Sequence, residues 1–263
     1  MHTRRLSIAM VSTKEIKVLR KADKIRNVQE VKKVLSRCVT EMKTPKMMHF
    51  IIEFDESKLP SKIIQKIKES YQSEFIKFER ERLVRLETKQ EVKRSKDYRV
   101  RKRKPFDLEM IYSLEAKMLK LKDINSKPYQ YNHIHFMFIA DFGDNRFNYK
   151  EVITILNRTL SRLPFTVPIN VIDDFNYIGF YGYNKCGYLR CRDSRSTNQA
   201  SDADFTELRG HDLKSEFKDA IIRASYLCKS EQKNLLPDEL KRYSFGHTRP
   251  SRACNDRIYE KVA

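Results

Sequence analysis

Apolar and polar residues follow two different periods along the chain, and this pattern predicts a mixed α+β fold. Short runs that are continuously apolar, or apolar at every second residue, predict strands at 47–54, 106–115, 131–142, 167–171 and 177–183. Apolar residues at helical spacing predict helices at 12–46, 62–89, 149–163 and 213–233, with loops at 192–212 and 234–263. This order of elements predicts a central antiparallel sheet with helices packed on one of its faces.

Positive charge is the strongest bulk property of the sequence. The 54 lysines and arginines stand against 35 acidic residues and leave a net charge of +19. Such a field attracts polyanions, and nucleic acid is the first candidate, ahead of an anionic lipid surface. The basic segment 92–104 predicts phosphate contacts, although a block of like charges is also typical of a solvated loop. Its candidate residues are Arg101, Lys102, Arg103 and Lys104.

Cysteine content and hydropathy predict a cytoplasmic location. Five cysteines, an odd number without tight metal-binding spacing, are typical of a reducing compartment. No run of about 18 apolar residues occurs, and the short apolar run at 6–11 is not long enough for a signal peptide. A hydrophobic content of 40% is sufficient for a packed core.

Two histidines on the third predicted strand are the first candidates for chemistry. His133 and His135 are separated by one residue, so a strand would point both imidazoles to the same face. Two neutral imidazoles can bind one divalent metal, although an isolated pair of this kind is more often structural. If the second and third strands pair antiparallel, Glu115 lies near the histidines and adds a carboxylate, unless it is a surface residue. This set suits Mg²⁺ or Mn²⁺, with Glu53 and Asp55 as fallback carboxylates.

A tyrosine and two lysines stand on the last predicted helix. Tyr226 and Lys229 are three residues apart, so a helix would place the phenol and the ammonium on one face. A tyrosine oxygen can attack a phosphodiester when a metal polarises the phosphate and a lysine offsets the developing charge. Lys233 is a candidate for contact with a flanking phosphate. A core tyrosine beside an exposed lysine is the alternative interpretation.

These motifs resemble a family of replication proteins. HIH at 133–135 with its apolar strand, and YLCK at 226–229, resemble motifs two and three of rolling-circle replication initiators. The segments RASYLCKSEQK and RYSFGHTRPSR resemble the C-terminal signature of the inovirus gene-two-type replication proteins, also found in prophages as the YagK/YfjJ C-terminal domain. MMHFIIEFD and PFDLEMIYSLEA resemble the family's first strand and the strand that carries a glutamate ahead of the histidines. Position 248 is threonine, where the family segment usually has serine.

The resemblance implies a domain organisation and a function. It covers residues 46–252 and implies an endonuclease domain of the histidine-hydrophobic-histidine (HUH) type, with a basic helical extension at 1–45 and a tail at 253–263. The implied activity is that of a rolling-circle replication initiator, which nicks and rejoins single-stranded origin DNA through a 5′-phosphotyrosine. Origin DNA, a host helicase and a host polymerase are the implied partners, in the cytoplasm of a bacterial host cell.

The resemblance also implies the roles of individual residues. The matching positions are the metal ligands His133 and His135, the nucleophile Tyr226 and the motif lysine Lys229. Glu115 matches less closely, because 17 residues separate it from His133. Arg249 and Arg252 in the C-terminal segment are candidates for phosphate contact.

Two other functions remain open at the level of sequence. One is a non-catalytic DNA-binding prophage protein, either a regulator or a decayed replication protein. The other is an RNA-binding protein in which the histidines are structural. Metal-dependent cleavage of single-stranded origin DNA separates the initiator from both, whereas strong binding without cleavage favours the alternatives.

Overall fold

An antiparallel sheet forms the centre of the fold and confirms the predicted α+β class. The computed structural model describes residues 25–93, 102–119, 129–143, 146–167, 179–184, 187–190, 210–229 and 233–249. The strands in these ranges are β1 (Pro45–Glu53), β2 (Leu108–Leu119), β3 (Tyr129–Asp141), β4 (Gly179–Asn184), β5 (Gly187–Arg190), β6 (His211–Asp212) and β7 (Phe245–His247). They lie in the order β5-β4-β1-β3-β2-β7, and β6 also pairs with β1.

Helices cover both faces of this sheet. The described helices are α1 (Ile25–Glu41), α2 (Ile63–Lys93), α3 (Tyr149–Ser161), α4 (Phe217–Ser225) and α5 (Asp238–Lys241), with 3₁₀ turns at Glu56–Lys58 and Tyr226–Cys228. A capping box begins α3, because the Asn148 side chain accepts a hydrogen bond from the Glu151 amide and the Glu151 side chain accepts one from the Asn148 amide. None of the helices in the described ranges has the length and the apolar content needed to cross a bilayer.

One sheet face packs beneath α2 and α3, and its buried residues are apolar. Along β3 this face carries four residues with no solvent exposure, namely Ile134, Phe136, Phe138 and Ala140. The apolar residues that predict a helix in this region also form its buried face, namely Ile63, Ile67, Tyr71, Phe75 and Phe78. The pattern that predicts α2 is therefore also the pattern that attaches it to the sheet.

The opposite sheet face is apolar over only part of its extent, where α1 and α4 cover it. Met137 and Ile139 of β3 pack there with Ile111 of β2 against the two helices. The prediction that helices pack on one face only is wrong. The run from Phe136 to Ala140 is apolar at every position, so it requires cover on both faces. The rest of this second face is polar and contains the candidate site.

Several element boundaries differ from those predicted. Helix α1 lies inside segment 1–45, yet its buried side packs in the same core as the sheet and α4. The last long helix ends at Ser225, because the chain tightens into the 3₁₀ turn and Lys229 has extended backbone angles. The predicted loop at 234–263 contains α5 and β7, which are too short to show a period. The predicted strand at 167–171, most of the loop at 192–212 and the tail at 253–263 lie outside the described residues.

Strand β7 and the residue after it attach α1 to the edge of the sheet. The Thr248 hydroxyl donates to the Glu109 carboxylate and accepts a hydrogen bond from the Met110 amide at 3.2 Å. Arg37 of α1 donates to Glu109 Oε2 at 2.7 Å and to the Thr248 carbonyl at 3.1 Å. The FGHT part of the family-like C-terminal segment therefore has a structural role, and threonine retains the hydroxyl that this role requires.

Candidate metal centre and its tyrosine

The polar part of the second sheet face brings three predicted metal ligands together. Glu115 of β2 lies directly opposite His133 of β3, and His135 follows two residues along on the same face. Glu115 Oε2 lies 3.7 Å from His133 Nε2 and 3.4 Å from His135 Nε2. All three side chains are buried, and one ligand atom from each lies within 4.8 Å of the others. Antiparallel pairing of β2 and β3 thus places Glu115 where the sequence predicts it.

Two atoms of this group make no hydrogen bond within the described part of the chain, namely Glu115 Oε2 and His135 Nε2. Buried polar atoms are rarely left in this state, and a bound cation shared by the group accounts for both. One carboxylate oxygen and two imidazole nitrogens form a donor set that several divalent metals accept. The residues therefore fit a metal ion, while these three ligands alone leave its identity open.

The electrostatics of the group favour the protonation states that bind metal. Burial raises the pKa of Glu115, but the adjacent His135 and the charge of Lys229 outweigh it, and the pKa falls to about 2. Burial, reinforced by the neighbouring His135, lowers the pKa of His133 to about 3. Burial also lowers the pKa of His135. At neutral pH the group therefore offers one carboxylate and two uncharged imidazoles, as metal coordination requires.

Behind His135 lie two residues that the sequence analysis missed, His49 and Arg223. His49 Nε2 lies 2.9 Å from His135 Nδ1, and the two rings stack with centroids 5.1 Å apart. Arg223 Nη2 makes a close contact with His49 Nδ1 on the far side of the ring. The sequence contains a signal for each residue. His49 is a histidine within a predicted apolar strand, and Arg223 stands three residues before Tyr226, so a helix would place both on one face.

Tyr226 lies at the end of α4 beside the buried group. It is 36% exposed, and its ring meets the His135 ring edge to face with centroids 5.3 Å apart. Lys229 Nζ lies 3.5 Å from the centre of the Tyr226 ring and 3.3 Å from Glu115 Oε2. Arg223 Cζ lies 5.7 Å from the same ring centre. A solvent-accessible phenol thus stands between two cations and next to the candidate ligands.

The seven basic residues predicted to contact phosphate fall into three groups. Lys102, Lys104 and Arg249 are exposed, while Arg101 and Arg252 lie outside the described residues.

The other two basic candidates have structural roles instead. Arg103 pairs with Glu79 of α2 and Glu151 of α3, so its guanidinium joins two helices. Lys233 is buried and donates to the Ser244 carbonyl at 3.2 Å. Both cations have partners inside the fold, and their contact with phosphate stays a prediction.

The two fallback carboxylates lie at the margin of the site. Glu53 of β1 is the partner of His133 across the other side of β3, and burial raises its pKa. Asp55 accepts hydrogen bonds from Ser57 and pairs with Lys58, so it caps the following turn. Among the described residues, the potential metal-binding group contains only Glu115 and the two histidines.

Comparison with protein-family models, with curated proteins and with solved structures gave no match. The chemistry of the site therefore has to be inferred from its own geometry. That geometry combines a buried group of three potential metal ligands, a partly exposed tyrosine and two cations near its ring.

Proposed function

We propose that this protein is a metal-dependent DNA nicking endonuclease and strand transferase of the HUH type, acting as a rolling-circle replication initiator. One observation carries the proposal: Tyr226, accessible and flanked by Lys229 and Arg223, lies against His135 of the buried ligand group. The resemblance of the histidine and tyrosine motifs supports the same function, and so does a net charge of +19.

Each residue of the site has a distinct part in this proposal. Glu115, His133 and His135 would hold Mg²⁺ or Mn²⁺, which supplies polarisation of the scissile phosphate. Lys229 and Arg223 stabilise the negative charge on the Tyr226 oxygen as it loses its proton. The carboxylate and the imidazoles are buried, whereas Tyr226 is partly exposed and can meet a substrate from solvent.

The proposed reaction is a transesterification. The Tyr226 oxygen attacks the phosphorus, and the bond between phosphorus and the 3′ oxygen breaks. The phenol proton passes to solvent, and the leaving 3′ oxygen takes up a proton from water. The products are a 5′-phosphotyrosine and a free 3′-hydroxyl. A later 3′-hydroxyl attacks the same phosphorus, releases the phenol and rejoins the strand without any need for ATP.

The proposed partners follow from these products and from the surface charge. Single-stranded or supercoiled origin DNA would contact the exposed cations Lys102, Lys104 and Arg249. A host polymerase would extend the free 3′-hydroxyl, and a host helicase would separate the strands ahead of it. The reaction would take place in the bacterial cytoplasm.

The test is detection of the covalent intermediate. Purified protein is incubated with single-stranded circular DNA and Mn²⁺, and a denaturing protein gel is run. We expect a slower band that nuclease trims back, and we expect it to disappear with chelator and in Tyr226→Phe. Tyr243→Phe, at another exposed tyrosine (47%), is the matched control and should keep the band.

A non-catalytic DNA-binding protein is the second candidate, and one contact favours it. Lys229 Nζ lies 3.3 Å from Glu115 Oε2, so the carboxylate has a charge partner even without a metal. In that case the folded protein binds single-stranded DNA equally well with and without chelator and forms no adduct with any divalent metal. That result would replace the nuclease proposal.

A further inference from the structure

Two close contacts connect Arg223, which lies beside the Tyr226 ring, to the candidate ligand His135 through His49, a residue outside the ligand group. Arg223 contacts His49 Nδ1, His49 Nε2 lies 2.9 Å from His135 Nδ1, and His135 Nε2 faces Glu115. One guanidinium thus spans the distance between the nucleophile and His49. We call Arg223, His49 and His135 the relay.

The donors and acceptors of the relay determine where its protons lie. A guanidinium can only donate, so His49 Nδ1 must accept and carries no proton. The remaining proton of His49 is on Nε2, which donates to His135 Nδ1. His135 Nδ1 therefore accepts as well, and the proton of His135 is on Nε2, facing Glu115. With both rings uncharged, these contacts correspond to the Nε2–H tautomer of each ring.

This arrangement opposes metal binding, because a metal needs the lone pair of His135 Nε2. With the metal in place, the His135 proton moves to Nδ1, which then donates to His49 Nε2. His49 must in turn hold its proton on Nδ1, and that proton would face the Arg223 guanidinium. The two arrangements contain the same number of protons, which exchange with water, but the second requires Arg223 to leave His49.

We propose that Arg223 is a positioning residue that couples phosphate binding at Tyr226 to metal binding at the Glu115–His133–His135 group. A phosphodiester at Tyr226 draws Arg223 away from His49, because guanidinium binds a phosphate more strongly than an uncharged imidazole. The protons of His49 and His135 then move from Nε2 to Nδ1, and the lone pair of His135 Nε2 becomes available to a metal. The inference rests on the proposed function for the identity of the phosphodiester, and it adds that DNA binding at Tyr226 increases the affinity of the ligand group for the metal.

The first test reads the tautomers directly and requires no variant. The protein is labelled with ¹⁵N-histidine, and two-bond ¹H–¹⁵N spectra are recorded without metal and with Mg²⁺. We expect His49 and His135 in the Nε2–H form without metal and in the Nδ1–H form with Mg²⁺. In Arg223→Met, His135 should already populate the Nδ1–H form without metal. An Nδ1–H tautomer for His135 in the metal-free wild type would overturn the proposal.

The second test measures the coupling by calorimetric titration of Mn²⁺ with and without dimethyl phosphate, which mimics one phosphodiester. In the wild type, dimethyl phosphate should raise Mn²⁺ affinity at least about fivefold, within the usual range for coupled sites. In Arg223→Met, resting affinity should rise about tenfold, as expected for a change at a residue behind a ligand, and the coupling should vanish.

The variant His49→Gln distinguishes the relay from a simpler coupling, in which the phosphate contacts the metal directly. This variant keeps Arg223 beside Tyr226, so any direct bridging persists, but it breaks the tautomer link. We expect the effect of dimethyl phosphate to fall to less than about twofold, below the usual range for coupled sites. Equal coupling in wild type and His49→Gln would refute the relay. Both tests are made without DNA cleavage, so their failure leaves the nuclease proposal intact, and absence of the tyrosine adduct leaves the relay intact.

Discussion

The two faces of the sheet are formed by the same strands and yet serve different purposes. On the α2 and α3 side, the residues of β3 are apolar at every inward position and have no solvent exposure. On the α1 and α4 side, Met137 and Ile139 are equally buried, but His133 and His135 take the corresponding positions toward the other end of the strand. Because neighbouring residues of a strand point to opposite faces, a residue of the site and a residue of the core can be adjacent in sequence. Substitutions at adjacent positions can therefore test them independently.

The largest effect is expected at His135. His135→Gln removes a candidate ligand and the middle of the relay, so we expect strand nicking to fall by about 10⁴-fold or more, as for loss of a catalytic metal. The free energy of unfolding in the absence of metal should change much less than activity. Rates of nicking and urea denaturation of the metal-free protein measure the two effects. Retention of nicking and of Mn²⁺ affinity would show that this face holds no metal.

The next residue, Phe136, should give the opposite result. Phe136→Ala removes a fully buried ring from the α2 and α3 side, and we expect the free energy of unfolding to fall by about 3–5 kcal/mol. Mn²⁺ affinity, measured at a temperature where the variant is folded, should stay within about twofold of the wild type, because the Phe136 ring lies on the sheet face opposite the candidate ligands. Loss of metal binding in a folded Phe136→Ala protein would show that the faces are coupled.

Acid should lower the free energy of unfolding of the metal-free protein through the buried histidines and Glu115 of the candidate site. Burial lowers the pKa of His133 from 6.5 in the unfolded chain to about 3, and it lowers the pKa of His135 as well. The unfolded state therefore binds more protons below pH 6.5. For His133 the stabilisation is complete above pH 6.5 and is lost as the pH falls toward 3, by about 1.4 kcal/mol per pH unit, and His135 changes stability in the same direction. Glu115, with its pKa lowered to about 2, adds a further loss below pH 4.5.

Urea denaturation of metal-free protein between pH 7.5 and pH 4.5 measures this slope. His133→Gln should make it less steep, whereas Phe136→Ala should lower the whole curve and leave its slope unchanged. A free energy of unfolding that stays flat from pH 7 to pH 5 in the wild type would contradict neutral buried histidines.

The same contrast shows what could be predicted from sequence. The candidate ligands were predictable because alternation places His133 and His135 on one face and because antiparallel pairing of consecutive strands brings Glu115 opposite. His49 and Arg223 were not, because their positions depend on contacts between segments far apart in the chain, namely the pairing of β1 with β3 and the docking of α4.

Ion pairs between side chains that are far apart in sequence could not be predicted from a local pattern either. Arg103 stands in a basic run that favours phosphate contact, but Glu79 and Glu151, each more than 20 residues away in sequence, fix it inside the fold. The end of α4 at Ser225 is a similar case. The apolar spacing continues past it, and the change to a 3₁₀ turn is what places Tyr226 and Lys229 over the ligand group.

The smallest of these effects in free energy is expected at Lys229, which contacts both Glu115 and Tyr226 on the same sheet face. In the metal-free protein the Lys229 ammonium neutralises Glu115 and lies over the Tyr226 ring, so it competes with a metal and supports the nucleophile. Lys229→Met should therefore raise Mn²⁺ affinity severalfold, about 1 kcal/mol, since it removes a charge-assisted contact from a candidate ligand. The same change should slow nicking, because the phenolate loses a cation.

Higher Mn²⁺ affinity together with slower nicking in Lys229→Met would distinguish these effects from a general loss of structure, which would lower both. Lys218→Met, at an exposed lysine of α4, is the control for lost positive charge and should change Mn²⁺ affinity by less than about twofold. If Lys229→Met weakens Mn²⁺ binding while circular dichroism shows an intact fold, the lysine supports the metal centre. The buried Glu115 carboxylate would then depend on both cations together.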